Sequence, residues 1–187
     1  MNKSFLTLII GVFFLLVPNT SEAQYGTYRP IATAYGEIFF GSAKQVDTGF
    51  SYGSDTSFGF WGGIPITDMV AAEIGYANYG GPTFFDGIDV LSVETTALNF
   101  GGRFQVPIND TVGVHARLGL ALWEIQFGGD FFGSYDDSNI YFGFGGDIKL
   151  SESASILLDY HSLSCEVEGS GGSLDITNLS VGIGFEF

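Results

Sequence analysis

Apolar and polar positions alternate with a period of two along most of this chain, most cleanly at its C-terminus. Leu179, Val181, Ile183, Phe185 and Phe187 share one parity, while Ser180, Gly182, Gly184 and Glu186 share the other. Side chains alternate across a strand, so one face here is wholly apolar and the opposite face small or charged. The same rhythm recurs in segments of about ten residues, the length that crosses a bilayer as a tilted strand. It predicts eight strands: Ile31–Gly41, Thr56–Ile66, Met69–Tyr79, Thr95–Ile108, Thr111–Phe127, Asn139–Leu150, Ala154–Val167 and Leu174–Phe187. Short turns at Thr67-Asp68, Asn109-Asp110 and Ser151-Glu152-Ser153 alternate with longer connections at Ser42–Asp55, Gly80–Glu94, Gly128–Ser138 and Glu168–Ser173. Strict alternation of short and long connections is expected of a membrane barrel, with turns on one side and loops on the other. A soluble protein ending on so apolar a strand would expose an aggregating edge, whereas a closed barrel has no edge. The fold class expected is all-β: an eight-stranded antiparallel transmembrane barrel in an up-and-down meander.

The N-terminus has a different pattern. Lys3 precedes an apolar run from Phe5 to Val17, followed by Pro18 and by Ser21-Glu22-Ala23, with small residues where a signal peptidase reads. The run is too short to span a membrane as a helix. The expected organisation is a cleaved signal peptide over residues 1–23 and one barrel domain over residues 24–187. Cys165 is the one cysteine, so no internal disulfide can hold the fold of an exported chain, and backbone pairing around a closed barrel is one route that can.

Charge placement sets which face is inside. The parity opposite the apolar one carries Glu37, Glu73, Arg103, Arg117, Asp147, Lys149, Asp159 and Glu186 among many glycines, too few charges for a water-facing exterior. These eight residues are expected to form an ion-pair network in the lumen, because an unpaired ion in a narrow, low-dielectric interior is costly. The apolar parity, with Val70, Phe100, Leu118, Phe142 and Leu158, is expected to face lipid. Tyr76, Trp123, Tyr141 and Tyr160 are the expected interfacial girdle.

Gly143-Phe-Gly-Gly-Asp-Ile-Lys-Leu150, a short turn, Ile156-Leu-Leu-Asp-Tyr160 and Gly182-Ile-Gly-Phe-Glu-Phe187 together resemble the last three strands of the small outer-membrane barrels of the OmpA/OmpX type. Gly182, Phe185 and Phe187 also resemble the C-terminal signal read by the barrel assembly machinery. The resemblance implies a cell outer membrane location in a Gram-negative bacterium, a packed polar interior without a wide channel, and contact with lipid and lipopolysaccharide. The chain is expected to be a monomer.

Net charge is −15, and most of the acids outside the predicted lumen set lie in or beside the long connections, opposed there by Lys44. Phosphate polymers are repelled by such a surface, which excludes nucleic acid as a partner. Asp136-Asp137 and Asp86-x-x-Asp89 are the candidates for a divalent cation, since hard cations prefer clustered carboxylates. Neither has a calcium-loop pattern, and acidic loops that keep a surface protein soluble are the preferred reading. No His or Cys cluster has zinc spacing, so neither metal nor cofactor is expected. Paired aromatics in two connections, Phe84-Phe85 and Phe131-Phe132 with Tyr135, are candidates for meeting a surface ligand or host partner, or for extending the interfacial girdle.

His161 and Ser164, with Glu166 and Glu168 downstream, offer the residue types of a lipid A hydrolase. Their opposite parity points them to different faces, so catalytic residues are not expected. The function expected is envelope structure or surface interaction through acidic, aromatic outward loops around a plugged lumen. A narrow porin-like or small-hydrophobe conduit is the second reading, and the hydrolase the third.

Overall fold

The structure is a computed structural model that describes residues 34–47, 50–85, 90–129, 133–166 and 173–187. The predicted signal peptide, Ile31 at the start of the first predicted strand, Asp86, Asp89, Phe131, Phe132 and Glu168 lie outside these residues. The strands are β1 (Tyr35–Asp47), β2 (Phe50–Pro65), β3 (Val70–Asn78), β4 (Thr83–Phe85), β5 (Val90–Pro107), β6 (Val112–Gly129), β7 (Gly133–Lys149), β8 (Ala154–Glu166) and β9 (Ser173–Glu186). Each pairs antiparallel with its sequence neighbour except across β3–β4. β3 and the short β4 both pair with β5 and so share one stave. Pairing of β1 with β9 and of β3 with β5 closes the sheet, giving eight staves from nine strands. No helix among the described residues is long and apolar enough to cross a membrane; the strands are the crossing elements.

The split of the third stave has a local cause. At Gly80 the backbone takes φ +79°, a left-handed conformation that glycine adopts without penalty. Its carbonyl receives the N–H of Thr95 at 3.2 Å, and Gly81 N–H donates to Asp55 Oδ2 at 2.8 Å, pinning the break against both neighbouring staves.

Several strands outrun their expected ends. β1 and β2 stay paired to Asp47↔Phe50, with a register slip between Gln45 and Val46, where the sequence suggests a loop over Ser42–Asp55. β7 begins at Gly133 rather than Asn139 and β5 at Val90 rather than Thr95. On β7 residues 133 to 138 are exposed on both faces, so pairing continues there after the alternation that reports it has ended. On β1 and β5 the inward face stays buried at Ala43, Gln45 and Val93, among small and polar residues that mask the pattern.

Burial follows parity. Ile38, Phe40, Phe58, Phe100, Phe104, Leu118, Phe142, Phe144, Leu158, Val181 and Ile183 are exposed and form a continuous outward apolar belt. Tyr76 stacks on Phe60 at 5.6 Å and Tyr160 packs on Phe144 at 4.9 Å within that belt. Trp123 and Tyr141 are not in it. They are 2% and 0% exposed inside the barrel, because their parity is that of Arg117 and Asp147.

Inward glycines face large inward side chains across the ladder. Trp61 lies opposite Gly75, Phe39 opposite Gly182, Tyr141 opposite Gly119, His115 opposite Gly145 and Arg117 opposite Gly143. A Cβ added at Gly75 would meet Trp61 Cδ2 at 2.5 Å, and one at Gly182 would meet Phe39 Cδ1 at 2.6 Å. Large-opposite-glycine pairing is how so narrow a barrel fills without voids or strain.

Candidate functional site: the occluded lumen and its outward rim

Arg117 lies at the centre of the lumen, fully buried. Its guanidinium donates to Glu37 from β1, to Glu73 from β3, with Nε to Oε2 at 3.0 Å, and to Asp159 from β8. The planar fork reaches three carboxylates from three staves, which a lysine's point charge could not do with the same directionality. Its flat faces lie 5.1 Å from the ring centre of Trp61 and 5.4 Å from that of Phe39. Arg103 on β5 donates to the other oxygen of Glu37 and stands 3.7 Å from Asp147 Oδ1.

His115 ties the two arginines together. Arg103 Nη2 lies 3.1 Å from His115 Nδ1, and His115 Nε2 lies 2.8 Å from Asp159 Oδ2. A guanidinium only donates, so Nδ1 accepts and the ring hydrogen resides on Nε2, bonded to Asp159. Tyr35 O–H donates to Glu73 Oε1 at 2.6 Å. Glu37, Glu73, Arg103, Arg117, Asp147 and Asp159 thus meet in one cluster with His115, each 5% exposed or less. Tyr35 is absent from the expected set, although it shares the parity of Glu37 two residues on, the signal that could have found it. Tyr35→Phe should cost about 1.5–3 kcal/mol in denaturant unfolding, the value of a hydrogen bond to a charged group.

Lys149 and Glu186 do not belong to the cluster. Both are exposed, Lys149 at the end of β7 and Glu186 at the end of β9, beyond the buried layer at the turn-side rim. Parity fixes the face a strand residue occupies; depth along the strand decides whether it meets the lumen or water.

Nearer the loop side the lumen changes character. Ala43, Val93, Ala97, Ile125, Leu163, Cys165, Leu174 and Ile176 pack with Trp123 into a largely apolar plug, within which Thr95 Oγ1 donates to Gln45 Oε1 at 3.1 Å. Between the halves, His161 lies 4.9 Å from the Tyr141 ring and 5.9 Å from the Trp61 ring, and shares a 2.8 Å hydrogen bond with Tyr79 O–H. A cavity of about 20 Å³ bordered by His161, Asp159, Ser57, Asn178 and Ser180 is room for roughly one or two waters. Ser164 lies on the opposite face and donates to Asp175 Oδ1 at 2.6 Å, so it is not placed beside His161. Among the described residues no group of three or more His, Cys, Asp or Glu could hold a metal ion.

The rim candidates divide. Phe84 and Phe85 form most of β4, and Tyr135 is exposed on β7, edge-on to Phe127 with ring centres 5.9 Å apart. Asp136 lies opposite Glu124 and Asp137 opposite Trp123. Gly182 fits against Phe39 inside, while Phe185 and Phe187 face outward, and Phe187 N–H bonds Ala34 O at 3.0 Å.

A sequence model described as outer membrane protein beta-barrel domain matches residues 8–187. No curated protein matches the chain. Among solved structures, neisserial surface protein A is similar with a TM-score of 0.62 at 15% identity, covering 82% of this chain and 97% of that one. The attachment invasion locus protein Ail of Yersinia pestis, solved with the heparin analogue sucrose octasulfate, is similar with a TM-score of 0.56 at 16% identity, covering 83% and 99%. The N-terminal barrel of Pseudomonas aeruginosa OprF gives 0.53 at 16%, covering 83% and 98%. At such identities the likeness is one of fold.

Proposed function

Since this chain belongs to the outer membrane protein beta-barrel domain family and is an outer-membrane barrel, we propose that it serves envelope structure and surface interaction, with a lumen closed to solutes. The observation that carries this reading is the buried Arg117, bound to carboxylates from three staves beneath an apolar plug. Opening a path would strand several ions in low dielectric, at a cost of several kcal/mol each. Function then falls to the outward strands and loops, whose described bases above the belt amount to Lys44 against Asp47, Asp55, Glu94, Glu124, Asp136, Asp137, Glu166 and Asp175. Ail was solved with a sulfated heparin analogue; this acidic rim repels polyanions, so surface binding here takes a different chemistry. We also propose that residues 1–23 are removed on export, that assembly machinery reads the Phe187 end, and that the barrel is a monomer in lipid and lipopolysaccharide.

Liposomes carrying the refolded chain should swell in arabinose no faster than protein-free liposomes. Swelling in proportion to protein content would replace this reading with the conduit. The separation of His161 from Ser164 supports a non-catalytic role, and expression should leave the mass of lipid A unchanged.

A further inference from the structure

Between the charged cluster and the loop-side plug, the buried ring of His161 has a protein partner on one nitrogen and none on the other. His161 Nδ1 shares a 2.8 Å hydrogen bond with Tyr79 O–H, whereas His161 Nε2 bonds no protein atom. The direction of the first bond follows from what each choice leaves unmade. If Nδ1 donated, the Tyr79 hydroxyl hydrogen and the Nε2 lone pair would both go unused. If Tyr79 donates, the Nε2 hydrogen alone is left over. Each unmade buried bond carries a desolvation penalty, so Tyr79 donates and the ring hydrogen of His161 resides on Nε2.

The space beside that ring suits a water molecule. The cavity of about 20 Å³ that His161 lines exceeds the roughly 10–15 Å³ that one water needs, and its walls carry Asp159, Ser57, Asn178 and Ser180. These walls keep capacity for further bonds. Arg117 and His115 both bond Asp159 through Oδ2. Ser57 Oγ donates to Asn178 Oδ1 at 2.6 Å and Ser180 Oγ to the Asp159 carbonyl at 3.4 Å, so each hydroxyl oxygen still offers lone pairs. Among the described residues, Asn99, Arg103, Tyr141 and Asp147 also carry buried side-chain atoms without a protein bond, but none of them borders this cavity.

We propose that the cavity is the binding site of one structural water, which accepts from His161 Nε2–H and donates to the Asp159 carboxylate and to a serine hydroxyl of the wall. The water satisfies the remaining polar atom of His161 and joins the Tyr79–His161 pair to Asp159, His115 and Arg103. The aromatic and charged tiers of the lumen then form one hydrogen-bonded unit. The site rests on the closed lumen proposed above, because a water held there is kept apart from bulk solvent.

The test uses the refolded, nitrogen-15-labelled chain in lipid nanodiscs. Its two histidines, His115 and His161, are assigned through bonds from their backbone amides. The His161 ring should carry its hydrogen on Nε2, and that hydrogen should show a cross-relaxation peak to water. Ala77 also lines the cavity, and Ala77→Val fills it without removing a polar group. That variant should abolish the water peak while leaving the His115 ring signals and heat-dependent gel mobility unchanged. A hydrogen on Nδ1, an Nε2–H without a water contact, an Nε2–H lost to exchange with bulk solvent, or a water peak that persists in refolded Ala77→Val would each overturn the proposal. The wild-type readings decide it whether or not the variant refolds. Conductance tests closure separately: a silent bilayer with no water contact would strike the site alone, and unitary currents would strike the closed lumen.

Discussion

Arg117→Ala should lower the unfolding free energy of the barrel by about 3–5 kcal/mol, read as a shift in denaturant midpoint after refolding in lipid. The size follows from what is left behind. Glu37, Glu73 and Asp159 converge on this guanidinium, and the cluster's other arginine, Arg103, bonds Glu37 on its own side. Removing Arg117 leaves carboxylates that are 5% exposed or less without their shared counter-ion, and adds like-charge repulsion among them. Arg117→Lys should recover only part of the loss, because an ammonium keeps the charge but cannot span three staves or lie flat between Trp61 and Phe39. An unchanged midpoint for Arg117→Ala would mean that the cluster does not hold the barrel together.

Gly119→Val should be at least as damaging, for a steric reason. Gly119 lies opposite Gly101 on one side and Tyr141 on the other. An added Cβ would collide with the carbonyl oxygen of Phe100, come within 2.7 Å of Gly101 Cα and within 2.7 Å of Tyr141 Cε1. Two of those atoms are backbone in a closed ladder and cannot move aside without breaking pairing, so a loss of about 3 kcal/mol or more is expected. Gly133→Val is the control: nothing lies within 4 Å of a Cβ there, and its effect should stay within about 0.5 kcal/mol. Equal stability of the two variants would refute the packing of inward glycines against large side chains.

What the sequence reveals, and what it hides, follows from the geometry of strands. Period-two alternation assigns each residue to a face, which is why parity alone groups Glu37, Glu73, Arg103, Arg117, Asp147 and Asp159. Alternation carries no measure of height along the barrel. Lys149 and Glu186 share the inward parity yet reach water at the rim. Trp123 and Tyr141 suit an interface by chemistry but are turned inward by parity, and parity prevails because the pleat leaves a side chain no choice. The apolar plug around Ile125, Leu163 and Ile176 is legible only weakly, since apolar residues on both faces blur the alternation. The protruding half of β7 is hidden for the opposite reason, because both its faces are wet over residues 133 to 138.

Whether the lumen is closed is decided by ion conductance of the refolded chain, from Gln24 onward, in a planar bilayer. With insertion verified by heat-dependent gel mobility, a plugged barrel predicts a silent bilayer at neutral pH. Reproducible unitary currents from the wild-type chain would contradict closure and would make the charged cluster the lining of a path.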